Sequence, residues 1–363
     1  MLYRKKMDYD KYLYYIWLTG IRGVGSIISK MLLNELKTPE KIYNSKLEEL
    51  LQIRGIGKET AKSILQSKDL SKAKNILKIC KSKNINITVI DDDVFPESIK
   101  NCKDSPILFY YRGVLRKDLM GVAIVGARRC TEYAKKAAVE AADFLAKEDI
   151  AVISGLAKGI DSYAHTSCLK ACGFTVAVLG CGVDICYPRE HNELMNKIIE
   201  KGLVISEYSP STPPRPEYFP KRNRIISALS NKVLIAEAGE KSGALITAEH
   251  AKRYNKEVYV VPGEIYSKSF HGSNGLISKG ARIYLSPQQL LDKEIFANKK
   301  TIMNTTENNL EKEIVKILEE RELTIDEISV KLSIDRCKLV EILFLLEIGG
   351  KLKNINGKYI IVD

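Results

Sequence analysis

The chain has 363 residues, of which 45% are hydrophobic and 28% charged, a globular composition that excludes disordered and fibrous classes. At about 100–200 residues per domain, two or three domains are expected. The net charge is +12 and uneven: residues 1–118 carry 23 basic and 14 acidic side chains, residues 299–363 only 11 and 12, which favours a polyanionic partner such as nucleic acid.

The first twelve residues, MLYRKKMDYDKY, are charged and lead into no apolar run ending in small residues. Together with apolar stretches too short to span a bilayer, this gives the expectation of a cytoplasmic protein. Residues 1–84 read as short helices containing two similar segments. Leu18-Thr-Gly-Ile-Arg-Gly-Val-Gly25 runs into Ser26–Leu33, and Leu51-Gln-Ile-Arg-Gly-Ile-Gly57 runs into Lys58–Leu65. Each is helix, Gly-x-Gly hairpin, helix. The glycines permit a tight turn, and the amides at the start of the following helix point outward, where an anion can meet them. The arrangement resembles helix-hairpin-helix motifs, which grip DNA phosphate. The run Asp91-Asp92-Asp93 reads as a solvated turn, because adjacent side chains on an extended chain point different ways.

Residues 85–297 begin with two strand-like segments, Asn86–Ile90 and Pro106–Gly113, and then alternate. Strands are expected at Val122–Val125, Ile150–Ile153, Thr175–Leu179, Leu203–Ser206, Lys232–Ala236 and Glu257–Val261, with an extra one at Arg282–Leu285. Helices are expected at Glu132–Ala146, Asp161–Lys170, Arg189–Glu200, Asn223–Leu229 and Leu245–Tyr254. Apolar strands alternating with amphipathic helices predict an α/β domain with a mostly parallel sheet. Residues 298–308 read as a polar linker. In 309–363, three helices (Leu310–Glu320, Thr324–Leu332, Arg336–Leu346) precede a hairpin about Asn356-Gly357 and resemble a winged helix. Its presumed recognition helix is nearly charge-neutral, which argues against major-groove reading and for a protein contact.

Ligands of a doubly wound sheet bind beyond the carboxyl ends of its strands. There the loops supply Gly126, Gly155 and Gly243 to bring amides close to an anion. Arg128, Lys158, Arg189, Arg222 and Arg224 add charge, and arginine can form a bidentate fork on phosphate. Ser154, Asn223 and Ser242 add hydrogen-bonding groups. Five of the eleven prolines fall in 210–220, a stiff segment expected to hold Arg222-Asn223-Arg224 in place. The loop Gly-Ala-Arg-Arg is not G-x-G-x-x-G, and neither a P-loop nor a nucleophile elbow occurs. Asp161 and His165 are one helical turn apart; a structural hydrogen bond is favoured over an acid–base pair, which lacks its third partner. The eight cysteines include no C-x-x-C, so buried thiols are expected rather than zinc ligands. No cofactor or metal is expected.

In order, the loops read Val125-Gly126-Ala127-Arg128, then Ser154-Gly155-x-Ala157-x-Gly159-Ile160-Asp161-x-x-Ala164-His165, then Val178-Leu179-Gly180-x-Gly182-x-Asp184-x-x-Tyr187-Pro188. They continue with Phe219-Pro220-x-Arg222-Asn223-Arg224-Ile225-Ile226-Ser227, Glu237-Ala238-x-x-x-Ser242-Gly243-x-x-Ile246-Thr247-Ala248, and Val261-Pro262-Gly263. With these six motifs in sequence, the chain resembles the DprA/Smf family, the DNA-processing proteins of bacteria. The resemblance implies an extended Rossmann-like domain that binds single-stranded DNA without sequence preference and has no established catalysis. It implies delivery of the strand to the recombinase RecA, past single-strand-binding protein, during natural transformation. It implies a homodimer as well, and the apolar residues Ile265, Tyr266, Phe270, Leu276 and Ile277 are the candidate contact. Ala127 departs from the hydroxyl residue that many relatives carry there. The rival reading is a nucleotide hydrolase akin to lysine-decarboxylase-like phosphoribohydrolases, but their signature, resembling P-G-G-x-G-T-x-x-E, lacks its Gly-Gly pair at Glu237–Glu249.

Overall fold

The computed structural model describes residues 9–291, 310–319, 321–332, 334 and 336–361. They form two compact units, divided between Leu290 and Leu291. The expected linker, 298–308, lies outside the described residues, as do 1–8 of the helical segment and parts of the winged-helix segment.

Six helices open the first unit: α1 (Tyr9–Thr19), α2 (Ser26–Leu36), α3 (Pro39–Asn44), α4 (Leu47–Gln52), α5 (Lys58–Gln66) and α6 (Ser71–Ser82). Gly23 and Gly55 take the left-handed backbone conformation, with φ of 82° and 94°, which is where the two hairpins turn. The hairpins touch, since the Ser63 hydroxyl donates to the Arg22 carbonyl at 2.7 Å. Arg22, Arg54 and Lys58 are exposed at these turns.

The sheet follows, as β1 (Asn86–Val89), β2 (Leu108–Gly113), β3 (Gly121–Val125), β4 (Ala151–Ser154), β5 (Thr175–Val178), β6 (Leu203–Ser206), β7 (Lys232–Ile235), β8 (Glu257–Val260) and β9 (Arg282–Ile283). A short helix, α7 (Glu97–Lys100), separates β1 from β2. The longer helices between the remaining strands are α8 (Glu132–Lys147), α9 (Ile160–Lys170), α10 (Asn192–Lys201), α11 (Tyr218–Leu229), α12 (Gly243–Arg253) and α13 (His271–Ser278). The strand order is β1-β2-β6-β5-β4-β3-β7-β8-β9. The seven strands from β6 to β9 run parallel, while β1 and β2 add antiparallel at one edge. Strand β3 lies between β4 and β7, so the chain winds outward in both directions from it. The crevice beyond the carboxyl ends of β3, β4 and β7 is therefore the switch point of the fold. Its strands are apolar on both faces, because helices cover both: Val122, Ile124, Val152, Ile153, Val233 and Leu234 are all buried.

The helical region is not a separate body. Leu18, Leu32, Leu50 and Ile64 belong to one buried cluster with Ile87, Tyr110 and Val204 of the sheet. Polar contacts reinforce the join. Lys30 of α2 donates to the carbonyls of Cys102 (2.5 Å) and Lys100 (3.2 Å) and to the Ser105 hydroxyl (2.7 Å). The aspartate run is an anchor rather than a solvated turn: Asp92 pairs with Lys11 at 2.6 Å, and Asp91 accepts from the Tyr15 hydroxyl.

In the second unit, a helix over 310–319 (α14) is followed by β10 (Leu323–Thr324), α15 (Ile325–Leu332), α16 (Arg336–Ile348), β11 (Leu352–Ile355) and β12 (Lys358–Ile361). The three strands pair in the order β10-β12-β11, completing a winged helix. Asn356 and Gly357 both have positive φ, 54° and 84°, as a two-residue type I′ turn requires. No helix among the described residues is long and apolar enough to cross a membrane.

Candidate nucleic-acid interface

The loops at the switch point start where buried strands end, so their bases are fixed. Gly126 follows β3 directly, and a Cβ there would lie 2.7 Å from Ile160 of α9. Glycine is needed for the loop to pass under that helix. Gly159, with φ of 76°, would put a Cβ 2.3 Å from the Ala127 carbonyl oxygen. The first two loops are thus packed backbone to backbone.

Arg222 does not face solvent; it is 4% exposed. Its Nη1 donates to the Gly155 carbonyl at 2.7 Å and to the Val178 carbonyl, and its Nε donates to Asn223 Oδ1 at 3.2 Å. Gly155 is glycine because a Cβ would lie 2.4 Å from the guanidinium. Asp161 Oδ2 accepts from the amides of Gly155 (3.1 Å) and Ala157 (3.3 Å). Burial pushes the Asp161 carboxyl up, against the pull of Arg222 and of these amides. Arg222 and Asp161 together tie the ends of β4 and β5 to α11. The expected phosphate contact of Arg222 is corrected on this geometry: the side chain is an internal brace.

Three more expectations change for the same reason. The Ser154 hydroxyl is fully buried and donates to the Ile124 carbonyl at 2.6 Å. Gly155 is buried, with its carbonyl on Arg222. Arg224 is 14% exposed and ion-paired with Glu207 at 2.5 Å, so its charge is already compensated. Asn223 donates to the Gly243 carbonyl at 3.0 Å, and Ser242 caps α12 by accepting from the Ala244 amide at 3.3 Å. These two hold the third loop in place. Gly243 itself is exposed. The helix expected at Asn223–Leu229 begins earlier, at Tyr218, so Arg222 also lies on it rather than in the proline-stiffened segment before it.

The charge that remains open belongs to Arg128, Lys158 and Arg189, all exposed. Lys158 pairs with Glu190 at 2.8 Å, both partners being more than half exposed, a contact that water and salt weaken and a phosphate can displace. Beside these charges lies an aromatic pair that the charge-centred sequence reading did not single out. The rings of Tyr187 and Phe219 are 5.4 Å apart and inclined at 33°, with Tyr187 43% exposed. Arg128 lies 5.9 Å from the centre of the Phe219 ring. Gly180 makes room for that ring, which a Cβ would approach to 3.0 Å. Both aromatics sit in motifs visible in the sequence, and their interleaving with arginines was the available signal.

His165 is fully buried, and its Nδ1 lies 2.7 Å from the Thr175 hydroxyl. Burial lowers its pKa to about 3, so the ring is neutral and held inside the sheet. It is not paired with Asp161, whose carboxylate is held by the Gly155 and Ala157 amides.

Of the five apolar residues offered for a dimer contact, Ile265 and Tyr266 are exposed, at 69% and 85%. Phe270 is corrected: it is buried, 6.1 Å from the Tyr133 ring and seated against Gly263. Leu276 and Ile277 are half-buried against the sheet core. Ile283 and Leu285, at and beyond the edge strand β9, are exposed.

A family model described as DNA recombination-mediator protein A matches residues 86–294, and a helix-hairpin-helix model matches residues 16–76. The protein Smf of a Synechocystis species is 34% identical over 283 residues, covering 77% of this chain and 71% of that relative. Among solved structures, DNA processing protein A from Streptococcus pneumoniae superposes with a TM-score of 0.65 at 30% identity, covering 79% of this chain and 98% of that one. DNA processing protein A from Helicobacter pylori, whose structure is described for its single-stranded DNA binding mode, has a TM-score of 0.51 at 31% identity, covering 56% of this chain and 93% of that one.

Proposed function

Because this chain belongs to the DNA recombination-mediator protein A family, we propose that it binds single-stranded DNA without sequence preference at the switch-point crevice. The observation that carries this reading is the juxtaposition of Arg128 with the Phe219–Tyr187 pair, flanked by Lys158 and Arg189. Cations follow the phosphate backbone, and an aromatic face accepts any unstacked base, which gives affinity for single strands without reading sequence. Amides of the Gly126 and Gly243 loops add neutral donors. The protein makes and breaks no bond; it acts in the cytoplasm and helps deliver the bound strand to RecA, past single-strand-binding protein. The two hairpins of the helical region, with Arg22, Arg54 and Lys58 at their turns, extend the basic path.

Titration of labelled single- and double-stranded oligonucleotides tests the site. Arg128→Ala should weaken single-strand binding and flatten its salt dependence, by roughly 0.7 in the log–log slope for one lost phosphate contact. A folded variant with unchanged affinity and slope would put the strand elsewhere.

The protein is further proposed to be a homodimer through the exposed Ile265–Tyr266 segment, since a two-fold contact needs only one apolar patch. Ile265→Glu should lower the mass seen by light scattering at tens of micromolar (roughly where a weak specific dimer persists) without changing the melting temperature. An unchanged mass would remove Ile265 from the contact.

A further inference from the structure

The first turn of α11 carries two aromatic residues in succession, and each meets a ring from a different loop. Phe219 pairs with Tyr187, from the loop after β5. Tyr218 stacks on Tyr208, from the loop after β6, with ring centres 4.2 Å apart and planes inclined at 21°. This second pair is the closer and the more nearly parallel of the two. Tyr208 covers one face of Tyr218, and the guanidinium of Arg215 lies over the ring, 5.7 Å from its centre. Both tyrosines are half-buried, while Arg215 is exposed. The Tyr218 amide donates to the Arg215 carbonyl at 3.0 Å, which fixes the turn that brings the cation to the ring.

We propose that Tyr218 is a second stacking platform, which takes the base following the one held at Phe219, with Arg215 as its phosphate contact. The strand then runs from Arg128 across the loops after β5 and β6 toward the helical region. This rests on the single-strand reading given above and adds to it a second station and a direction. Three observations carry it. The first is geometry: successive residues of a helix point about 100° apart, so Phe219 and Tyr218 cannot lie on one base, and each ring meets its own. The second is construction. A base laid on Tyr218 extends a stack that Tyr208 has already begun, and the exposed Arg215 can turn from the ring to a phosphate, since a guanidinium serves both. The third is order. Strand β6 lies next to β5, and neighbouring strands are about 4.8 Å apart. That is somewhat more than the 3.4 Å or so between stacked nucleotides of one strand, a step that an unstacked strand can span.

The path ends where the helical region is docked. Lys83, just after α6, reaches Asp184 at 2.6 Å and the Ser211 hydroxyl at 3.4 Å, in the loops after β5 and β6. The crevice and the hairpin cations are thereby parts of one track.

Competition titrations of the full chain with a homopolymeric single strand test this. Tyr218→Leu keeps Tyr208 covered but removes the aromatic face, and should weaken binding roughly five- to 150-fold, as for one lost stacking face. Tyr218→Phe should keep nearly the full affinity. Urea midpoints verify that both are folded. The double variant with Phe219→Leu separates a second platform from a residue that only positions the first: two platforms multiply their losses. Arg215→Ala should flatten the log–log salt dependence by roughly 0.7, and an unchanged slope would remove Arg215 from the path. A folded Tyr218→Leu with unchanged affinity beside a weakened Phe219→Leu, or a double variant no weaker than Phe219→Leu alone, would overturn the second platform and leave the crevice reading standing. Unchanged affinity in both single variants would remove stacking from the crevice, and the second platform with it.

Discussion

Arg222→Ala should lower the stability of the first unit by about 3–5 kcal/mol, the usual cost of removing one partner from a buried charged network. Nothing solvent-facing is lost. The guanidinium leaves behind the Gly155 and Val178 carbonyls, both inside the protein, and each unpaired buried group costs about 1–3 kcal/mol. Asp161 would keep its two amide donors but lose the cation beside it. Lysine should rescue poorly, because a single ammonium cannot reproduce the planar fork that reaches both carbonyls and Asn223. The check is a urea titration of the purified variants, read as a change in midpoint at constant slope. An unchanged midpoint combined with a reduced salt slope in single-strand binding would mean that Arg222 faces the strand instead.

Phe219→Ala should weaken binding of single strands by about 1–3 kcal/mol, roughly five- to 150-fold, the effect of removing one base-stacking face. Duplex binding should be almost unaffected, because paired bases are not available to the ring. The selectivity for single strands should therefore fall by nearly the same factor. Half of the platform would survive in Tyr187, so Phe219→Tyr should retain most of the affinity while Phe219→Leu should not. Competition titrations with a homopolymeric strand and with a strand carrying abasic sites distinguish the two. If the abasic strand binds the unmodified protein as tightly as the intact one, stacking makes no contribution and Phe219 merely fills space beside Gly180.

Much of the fold was legible because parallel strands covered on both faces must be uniformly apolar, and those at Val122, Val152, Val233 and their neighbours are. The turn at Asn356-Gly357 was equally plain, since few residues accept two successive positive φ values. The start of α11 was not: Pro220 fits within a helix's first turn, yet in a proline-rich stretch it reads as loop. The site was legible as a set of loops but not as a set of roles. Arg128 and Arg222 look alike in sequence, each beside a second basic residue, Arg129 and Lys221. Only the fold shows that one ends at the surface beside an aromatic ring while the other fills the space left by a missing Cβ. The same limit hid the anchoring role of Asp91 and Asp92, whose partners Tyr15 and Lys11 are far away along the chain. The dimer candidates divided for a related reason, since apolar character marks Phe270 and Tyr266 equally, and exposure separates them.

The brace beneath the crevice also bears on how fast the protein can work. Loops already locked by Arg222, Asp161 and Asn223 have little left to order when a strand arrives, so the entropy lost on binding falls on the flexible DNA. Association should then proceed at the rate of an electrostatically guided encounter, fast at low ionic strength and slowed by salt, with no lag for rearrangement of the protein. Strands of different composition would be captured at similar rates and released at different ones, according to how well their bases stack. On the proposed function, a protein that binds any strand and later gives it away is well served by such a division, because capture is indiscriminate and residence time alone remains adjustable.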